Sequence, residues 1–425
     1  MSNVSTYYSP FERTNRVLGF LLLFLYVIPI GVFPGTPFAP VNYLFLIIVF
    51  NLLLNINRLK NKFTKPVINI LITTLLYLLL STYLTYYRLG EYDAPVNSYR
   101  FFLVIIFFLS IDDKKTLFFL LKSFTFLLAF STIFGILIHY IGEPFASIRL
   151  IILRGGDIVN YVGKGDRIVG FTNKIFHFGY YIAVLPTLLI TFYKIERKNK
   201  YIYLLVIAYI GIVLNGERAT LLFSSLALLY LIYKWFHFQK SVIILIGIFG
   251  VFFLAVNIIR INDEFLTRVI SQKSDGEAEF RLLRQIAGIL SVFESPFIGS
   301  DEDTYNNIFY RWYGKVPSSS HNTYINIGMR GGIIGWFLFY LFGKNVIKII
   351  KTFKSKFQGA RIDQSIYLGT IVTFVSVLSV GLTHNAGIFS EEKMSNILLG
   401  FILSFAMITY NSSKIGYSSD IDPTS

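Results

Sequence analysis

Residues 117–141 read LFFLLKSFTFLLAFSTIFGILIHYI, an apolar run in which Lys122 is the one Lys, Arg, Asp or Glu. The hydrocarbon core of a bilayer is about 30 Å thick, and a helix of roughly 20 apolar residues spans it. Similar runs recur along the chain and are separated by short, lysine-rich polar segments. Because lipid offers no hydrogen-bond partners to the backbone, such runs are predicted to be helices.

The composition of the 425-residue chain excludes an ordinary soluble protein. Hydrophobic residues make up 54% of it and charged residues 15%, whereas roughly 25% of residues are charged in soluble domains. The absence of cysteine excludes disulfides, thiolate metal sites and cysteine nucleophiles. The five histidines are scattered singly, so no metal site is expected. The predicted fold class is an all-α polytopic integral membrane protein.

The apolar runs predict about twelve transmembrane helices, which places both termini on the same side. Two of them, 101–111 and 201–214, are shorter than the roughly 17 residues of a usual crossing, so soft ends or partly re-entrant helices are expected there. The candidate spans are 17–35, 40–57, 67–86, 101–111, 117–141, 168–193, 201–214, 219–236, 241–259, 322–342, 365–384 and 394–410.

The basic residues choose the orientation, because short loops rich in Lys and Arg stay in the cytoplasm. With the N-terminus inside, the basic segments 58–65, 194–200 and 344–361 all fall on the inner side. Nearly all of the net charge of +15 then lies on the predicted inner side, where it determines the orientation in the membrane. Both termini are therefore predicted to be cytoplasmic, and no nucleic-acid partner is needed to explain the charge.

This threading divides the chain into membrane and external parts. Two external loops are too long to be simple connections, and long ordered loops are usually functional. The predicted segments are a cytoplasmic N-terminal segment (1–16), transmembrane helices 1–9 with an external loop at about 142–167 (17–259), a large external loop (260–321), transmembrane helices 10–12 (322–410) and a cytoplasmic tail (411–425).

The large external loop contains one strongly amphipathic stretch, Glu279 to Glu294, which Pro296 closes. Its spacing predicts a helix along the membrane surface with a polar and an apolar stripe. The two arginines of the polar stripe either extend to lipid phosphates or bind a ligand. The polar stripe consists of Arg281, Arg284, Gln285 and Gly288, and the apolar stripe of Leu282, Ile286, Ile289, Leu290 and Phe293.

Arg218 lies in the short hinge NGERAT, residues 215–220, between two predicted spans. A guanidinium at the hydrocarbon boundary calls for a partner, because an unpaired charge is costly there. Glu217 is one candidate, as a local counter-ion. A lipid-linked diphosphate is the other, because the donors of arginine match phosphate oxygens.

His321 begins the sequence HNTY at the outer end of the predicted tenth span. Its external position at the mouth of a membrane cavity would allow it to take a proton near neutral pH. The alternative is an interfacial histidine that hydrogen-bonds to backbone. His384 and Asn385 repeat the same dipeptide at the end of another span, so the dipeptide alone is weak evidence.

These features occur in an order that resembles the integral-membrane O-antigen polymerase and O-antigen ligase superfamily. Its members tend to carry an arginine in a short turn between spans, here with Glu217 where serine is usual, and then an arginine-led helix that ends in a Pro-x-x-Gly-like turn. A His-Asn pair follows and runs into a glycine-containing span. The matching residues are 215–219, Arg281 with Pro296 and Gly299, and 320–325 with Gly328, Gly331 and Gly332; Asp301 replaces a common second glycine. A weaker match covers 163–181, including Arg167, where Lys174 and Ile175 replace the usual Pro-Asn.

The resemblance implies a metal-independent glycosyltransferase without cofactors, with a GT-C-like architecture, in the bacterial inner membrane. The active site would face the periplasm, and the donor would be a glycan linked to undecaprenyl diphosphate. The arginines would stabilise the departing diphosphate, and His321 would deprotonate or orient the acceptor hydroxyl. The implied catalytic residues are His321, Arg218 and Arg281, and the implied substrate-binding residues are Arg284, Arg167, Glu217, Asn322 and Tyr324.

A polymerase, which moves the growing chain onto the non-reducing end of a new lipid-linked repeat unit, is favoured by the span count. A ligase, which uses lipid A core as acceptor, is the alternative, because the residues above act on the donor half that both share. A flippase for the same lipid-linked oligosaccharide is the alternative of another class. A flippase should place ionisable residues in mid-span, where Lys122, Lys174 and Arg330 are the candidates. Expected partners are the lipid-linked donor and acceptor, the bilayer and a chain-length regulator protein.

Overall fold

A computed structural model describes most of the chain. The predicted ninth span, 241–259, lies outside the described residues apart from Gly250. The described residues are 10–28, 40–59, 63–89, 96–153, 167–172, 175–236, 250, 275–297, 299–300, 302–314, 320–356, 361–384, 389 and 393–415.

Within these ranges the chain is helical and contains no strand. The helices are α1 (Pro10–Val27), α2 (Pro40–Leu59), α3 (Lys65–Leu89), α4 (Val96–Ser110), α5 (Lys114–Ile141), α6 (Phe145–Leu153), α7 (Ile175–Glu196), α8 (Lys200–Asn215), α9 (Arg218–Trp235), α10 (Asp275–Glu294), α11 (Glu302–Tyr313), α12 (Thr323–Lys356), α13 (Arg361–Val380) and α14 (Met394–Ile415).

Six stretches within the described helices are long and apolar enough to cross a membrane. Two further apolar helices, Leu46–Asn55 and Lys200–Asn215, are shorter. By length and composition the chain is therefore a multi-pass helical membrane protein. The six are Lys65–Leu84, Lys114–Ile141, His177–Glu196, Thr323–Thr352, Ile362–Val380 and Met394–Asn411.

Helix α7 lies at the centre of the packed helices, since 83% of its apolar membrane-spanning window is buried against the rest of the protein. It packs against α8, α9 and α13. Its contact with α13 is close because Gly369 has no side chain, and a Cβ there would overlap Thr191. The Thr373 hydroxyl donates to the Thr187 hydroxyl at 2.8 Å across the same contact. Small residues allow helix backbones to approach in this way in membrane proteins.

Ion pairs hold several helix ends together at the C-terminal end of α7. Lys122 Nζ lies 2.5 Å from Glu196 Oε1, and Lys114 Nζ lies 2.6 Å from Asp363 Oδ2. Lys194 donates to the Trp235 carbonyl at the end of α9. Lys122, which the sequence makes a candidate for a mid-span charge, is thus neutralised by Glu196 at the C-terminal end of α7.

Helix α12 is broken at Gly332, where φ is 60° and ψ is −157°. The segment that follows α10 fills the gap, since Ser300 N–H donates to the Met329 carbonyl at 2.9 Å and Ile333 N–H donates to the Pro296 carbonyl at 2.7 Å. The Trp336 ring N–H donates to the Tyr324 carbonyl across the break. These bonds fix helix α10 relative to the start of α12.

The segments that the sequence predicts to be external loops contain more helix than expected. Helix α10 begins at Asp275 rather than Glu279, α11 follows it, and α6 occupies part of the predicted 142–167 loop. Helix α11 packs on α10 through an edge-to-face contact of Phe309 with Phe280 at 5.1 Å. The apolar side of α11 is too short to resemble a span, which is why hydropathy alone does not reveal it.

Candidate functional site

The turn between α8 and α9 brings two charged side chains to one pocket. Gly216 ends α8 in the left-handed region, with φ 71° and ψ 15°, and its N–H donates to the carbonyls of Ile212 and Val213. Glu217 then adopts an extended conformation directly before α9. The reversal takes two residues, so Glu217 and Arg218 both line the pocket at this helix end.

The segment 167–172 packs against this turn and places Arg167 beside it. Asn215 Nδ2 donates to the Ile168 carbonyl at 2.9 Å, and the buried Arg149 donates to the Thr172 carbonyl at 2.7 Å. Arg167 Nη1 consequently lies 3.4 Å from Glu217 Oε1. Residue 216 must be small here as well, because a Cβ would lie 3.3 Å from Arg167 Nε.

These elements and α10 enclose a pocket of about 510 Å³. Three guanidinium groups and one carboxylate line it, so it carries net positive charge. The side chains of Arg218 and Arg281 are exposed, whereas Glu217 and His384 are buried. The described lining residues are Arg167, Gly216, Glu217, Arg218, Ala219, Leu222, Phe223, Arg281, Thr383 and His384.

Glu217 pairs with groups other than the adjacent arginine. Its Oε1 lies 3.4 Å from Arg167, and its Oε2 lies 3.1 Å from His384 Nε2. Across the described part of the chain, no carboxylate forms an ion pair with Arg218. The interpretation of Glu217 as a counter-ion of Arg218 is therefore wrong in detail, and Arg218 offers its charge to the pocket.

Helix α10 presents its two predicted stripes to different surroundings. On the polar stripe, Arg281 lines the pocket, and Gly288 packs so closely on the start of α12 that a Cβ would lie 2.7 Å from Ile325. Arg284 lies over the Phe280 ring at 4.2 Å. The apolar stripe is exposed, as expected of a helix on a membrane surface. Its exposed members are Leu282, Ile286, Ile289, Leu290 and Phe293.

His321 and Arg284 are not among the described residues that line the pocket, but charged groups of the pocket act on His321. Burial and the guanidinium groups of Arg284 and Arg281 lower the pKa of His321 to about 4, although Glu217 acts in the opposite direction. Its backbone is in the left-handed region, with φ 51°, a conformation that side chains other than glycine rarely adopt. His321 is therefore a neutral imidazole at neutral pH, held in a strained position.

The lowered pKa of His321 makes stability depend on pH. In the unfolded chain its pKa returns to about 6.5, so between pH 6.5 and 4 the unfolded state binds more protons than the folded state. Stability then falls as pH is lowered through this window. We expect the melting temperature in detergent to fall from pH 7 to pH 5 and to fall less steeply in His321→Gln. Equal slopes in the two proteins would contradict the assignment.

Asn322 and Tyr324 contact the framework of the site. The Asn322 side chain accepts from the N–H groups of Tyr324 and Ile325 and so caps α12. The Tyr324 hydroxyl donates to the Leu378 carbonyl at 2.7 Å. Neither is among the residues that line the pocket. Their contacts hold the start of α12 in place, and their predicted part in substrate binding stays a prediction.

Sequence reasoning missed His384, which it treated as a chance repeat of the His-Asn dipeptide. The Thr323 hydroxyl donates to the His384 carbonyl at 2.7 Å, and this bond joins the end of α13 to the start of α12. His384 thus lies beside the start of α12, where the first dipeptide is. The signal that could have found it is its place at the same predicted end of a span as His321.

The candidate site coincides with a region of recognised similarity. Residues 203–340, about a third of the chain, match the family model described as Wzy_C, O-antigen ligase. This stretch contains Glu217, Arg218, Arg281, Arg284 and His321. No curated protein matches the chain. Over this stretch the chain is similar to the O-antigen ligase family, and the match does not separate polymerases from ligases.

Proposed function

We propose that the protein is an O-antigen polymerase that transfers a glycan chain from undecaprenyl diphosphate onto the non-reducing end of a new lipid-linked repeat unit. The observation that carries this proposal is the convergence of Arg167, Arg218 and Arg281, from three separate segments, on one pocket within the matched region or beside it. Such a cluster suits a ligand with two phosphate groups.

The donor half of the site is assigned to the arginines. When the acceptor oxygen attacks the anomeric carbon, the bond to the diphosphate breaks and negative charge develops on the leaving oxygen. Arg218 and Arg281 stabilise this charge, and Arg284 supports them from the same stripe of α10. Fixed cationic donors lower the barrier where they bind the transition state more strongly than the ground state.

The acceptor half is assigned to the side of the pocket near His321. At its lowered pKa the neutral imidazole accepts or donates a hydrogen bond and orients the acceptor hydroxyl. The proposal includes a periplasmic site, cytoplasmic termini, twelve spans in a GT-C-like arrangement and no requirement for a metal. The exposed apolar stripe of α10 would then rest in the outer leaflet beside the lipid carrier.

The second candidate is a ligase, the activity that the description of the matching family names. Deletion of the gene separates the two activities. On a lipopolysaccharide gel, loss of the polymerase is expected to leave core that carries a single repeat unit. Bare core, with long lipid-linked chains left unattached, would instead identify a ligase. An unchanged ladder would contradict both.

A flippase remains the alternative of another class. Its expected feature, ionisable side chains in mid-span, is weakened here because Lys122 pairs with Glu196 at the end of α7. The charged side chains of the pocket gather instead at the opposite end of α7. Accumulation of untransported lipid-linked units on the cytoplasmic side of a deletion strain would favour the flippase.

A further inference from the structure

We propose that Glu217 is the general base of the transfer reaction, with His384 and Arg167 as the residues that position it. This inference rests on the proposed glycosyl transfer and gives that reaction a proton acceptor. Glu217 stands where the resembled family usually has serine, so the role would belong to this chain and to others with a carboxylate at that position.

The Glu217 carboxylate has room to accept a further hydrogen bond. An ionised carboxylate offers about four acceptor directions on its two oxygens. Arg167 occupies one direction on Oε1 at 3.4 Å, and His384 occupies one on Oε2 at 3.1 Å. Each oxygen retains another direction, and the side chain lines the pocket. A hydroxyl that enters the pocket can therefore donate to it.

The framework fixes this carboxylate more firmly than a surface counter-ion would require. Glu217 is 8% exposed. Its side chain lies against Gly179, because a Cβ built at Gly179 would be 3.2 Å from Glu217 Cγ. The Thr220 hydroxyl donates to the Gly179 carbonyl at 3.3 Å, which ties α9 to α7 beside it. His384 is held in turn by Thr323. Preorganisation of this kind is what a catalytic base needs.

Glu217 and Arg218 both line the pocket, and in the proposed reaction they serve opposite ends of an in-line displacement. Arg218 binds the departing diphosphate on one side of the anomeric carbon, while the acceptor hydroxyl approaches on the other side of the pocket. The hydroxyl oxygen forms the new bond to the anomeric carbon, and its proton passes to Glu217. The bond from carbon to the phosphate oxygen breaks, and the electron pair leaves with the lipid diphosphate. The proton returns to solvent after product release.

His321 has the complementary role in this scheme. The positive charges of Arg284 and Arg281 disfavour a further positive charge on His321. A proton taken up at His321 would stand among the cations that bind the diphosphate. A proton taken up at Glu217 neutralises a carboxylate instead, so the step leaves the pocket more attractive to the departing anion. His321 then orients the hydroxyl as a neutral group.

The test compares Glu217→Gln with wild type in liposomes that contain lipid-linked repeat units. Glutamine keeps the shape and an acceptor oxygen but cannot take the proton. We expect kcat to fall about 100-fold or more, the range of general-base catalysis. Binding of undecaprenyl diphosphate should be unchanged or tighter, because a negative charge has left the pocket. Glu294→Gln, an exposed change on α10, is the matched control and should keep wild-type values.

Two outcomes overturn the assignment of Glu217. One is a kcat within about threefold of wild type in Glu217→Gln; the other is weakened diphosphate binding with little change in kcat, as expected of a residue that only orders Arg167. If wild type itself neither binds the diphosphate nor extends glycans, the proposed function fails instead. His384→Gln should lower kcat less than Glu217→Gln and leave diphosphate binding intact, and Glu217→Asp should restore part of the rate.

Discussion

Replacement of Arg218 or Arg281 by alanine is expected to abolish long-chain polysaccharide while the protein still accumulates in the membrane. Both side chains are exposed and line the pocket, so their loss should hardly disturb packing. Removal of one donor to a developing negative charge typically costs about 100- to 1,000-fold in rate. His321→Ala is expected to give the same loss through misplacement of the acceptor.

The measurement is a polysaccharide gel from a deletion strain that expresses each variant, with protein quantified in the membrane fraction. Arg311→Ala is the matched control, because Arg311 is an exposed arginine on α11 that does not line the pocket. It should give a normal ladder. Undiminished ladders in all three site variants would remove the assigned site.

Replacement of Gly332 by alanine is expected to prevent accumulation of folded protein. Its φ of 60° and ψ of −157° lie in a region that is essentially restricted to glycine, at a cost of about 1–3 kcal/mol for another residue. A Cβ would also overlap the Pro296 carbonyl oxygen and lie 2.8 Å from the Phe297 carbonyl carbon. The segment that follows α10, which packs against this break in α12, could not stay in place.

Gly343 provides the control within the same helix, since among the described residues no neighbouring element comes within 4 Å of a Cβ built there. Gly343→Ala should accumulate at wild-type levels and melt at the wild-type temperature or slightly above it. Fluorescence size-exclusion profiles of the solubilised proteins measure both quantities. A monodisperse Gly332→Ala protein with normal activity would show that the break in α12 is not needed.

Six of the twelve predicted spans correspond to helices that are long and apolar enough to cross a membrane, because hydropathy and length determine such helices; the count of twelve stays a prediction. The runs at 117–141 and 394–410 correspond to α5 and α14 with little change. The short run at 201–214 is a short helix, α8, in the structure. The break at Gly332 was not predictable, because its cause is the docking of Pro296 and Ser300, which lie outside the span.

The site residues were predictable from sequence only where the charged residues lie within one short segment. The Arg218 turn and the arginine stripe of α10 stood out in sequence because each combines charge with a predicted external position. The pairing of Glu217 with His384 did not, since the two residues are far apart in the chain and meet only when α9 and α13 pack. The framework roles of Asn322 and Tyr324 also depend on contacts that no spacing reveals.

The most direct test of a diphosphate site built from converging arginines is the binding of undecaprenyl diphosphate to the purified protein in nanodiscs. The account predicts saturable binding to wild type and to Arg311→Ala, with at least tenfold weaker binding to an Arg218→Ala, Arg281→Ala double variant. Undecaprenyl monophosphate, which has one phosphate fewer, should bind more weakly than the diphosphate. Equal affinity of the double variant and wild type, or no measurable binding to either, would contradict it.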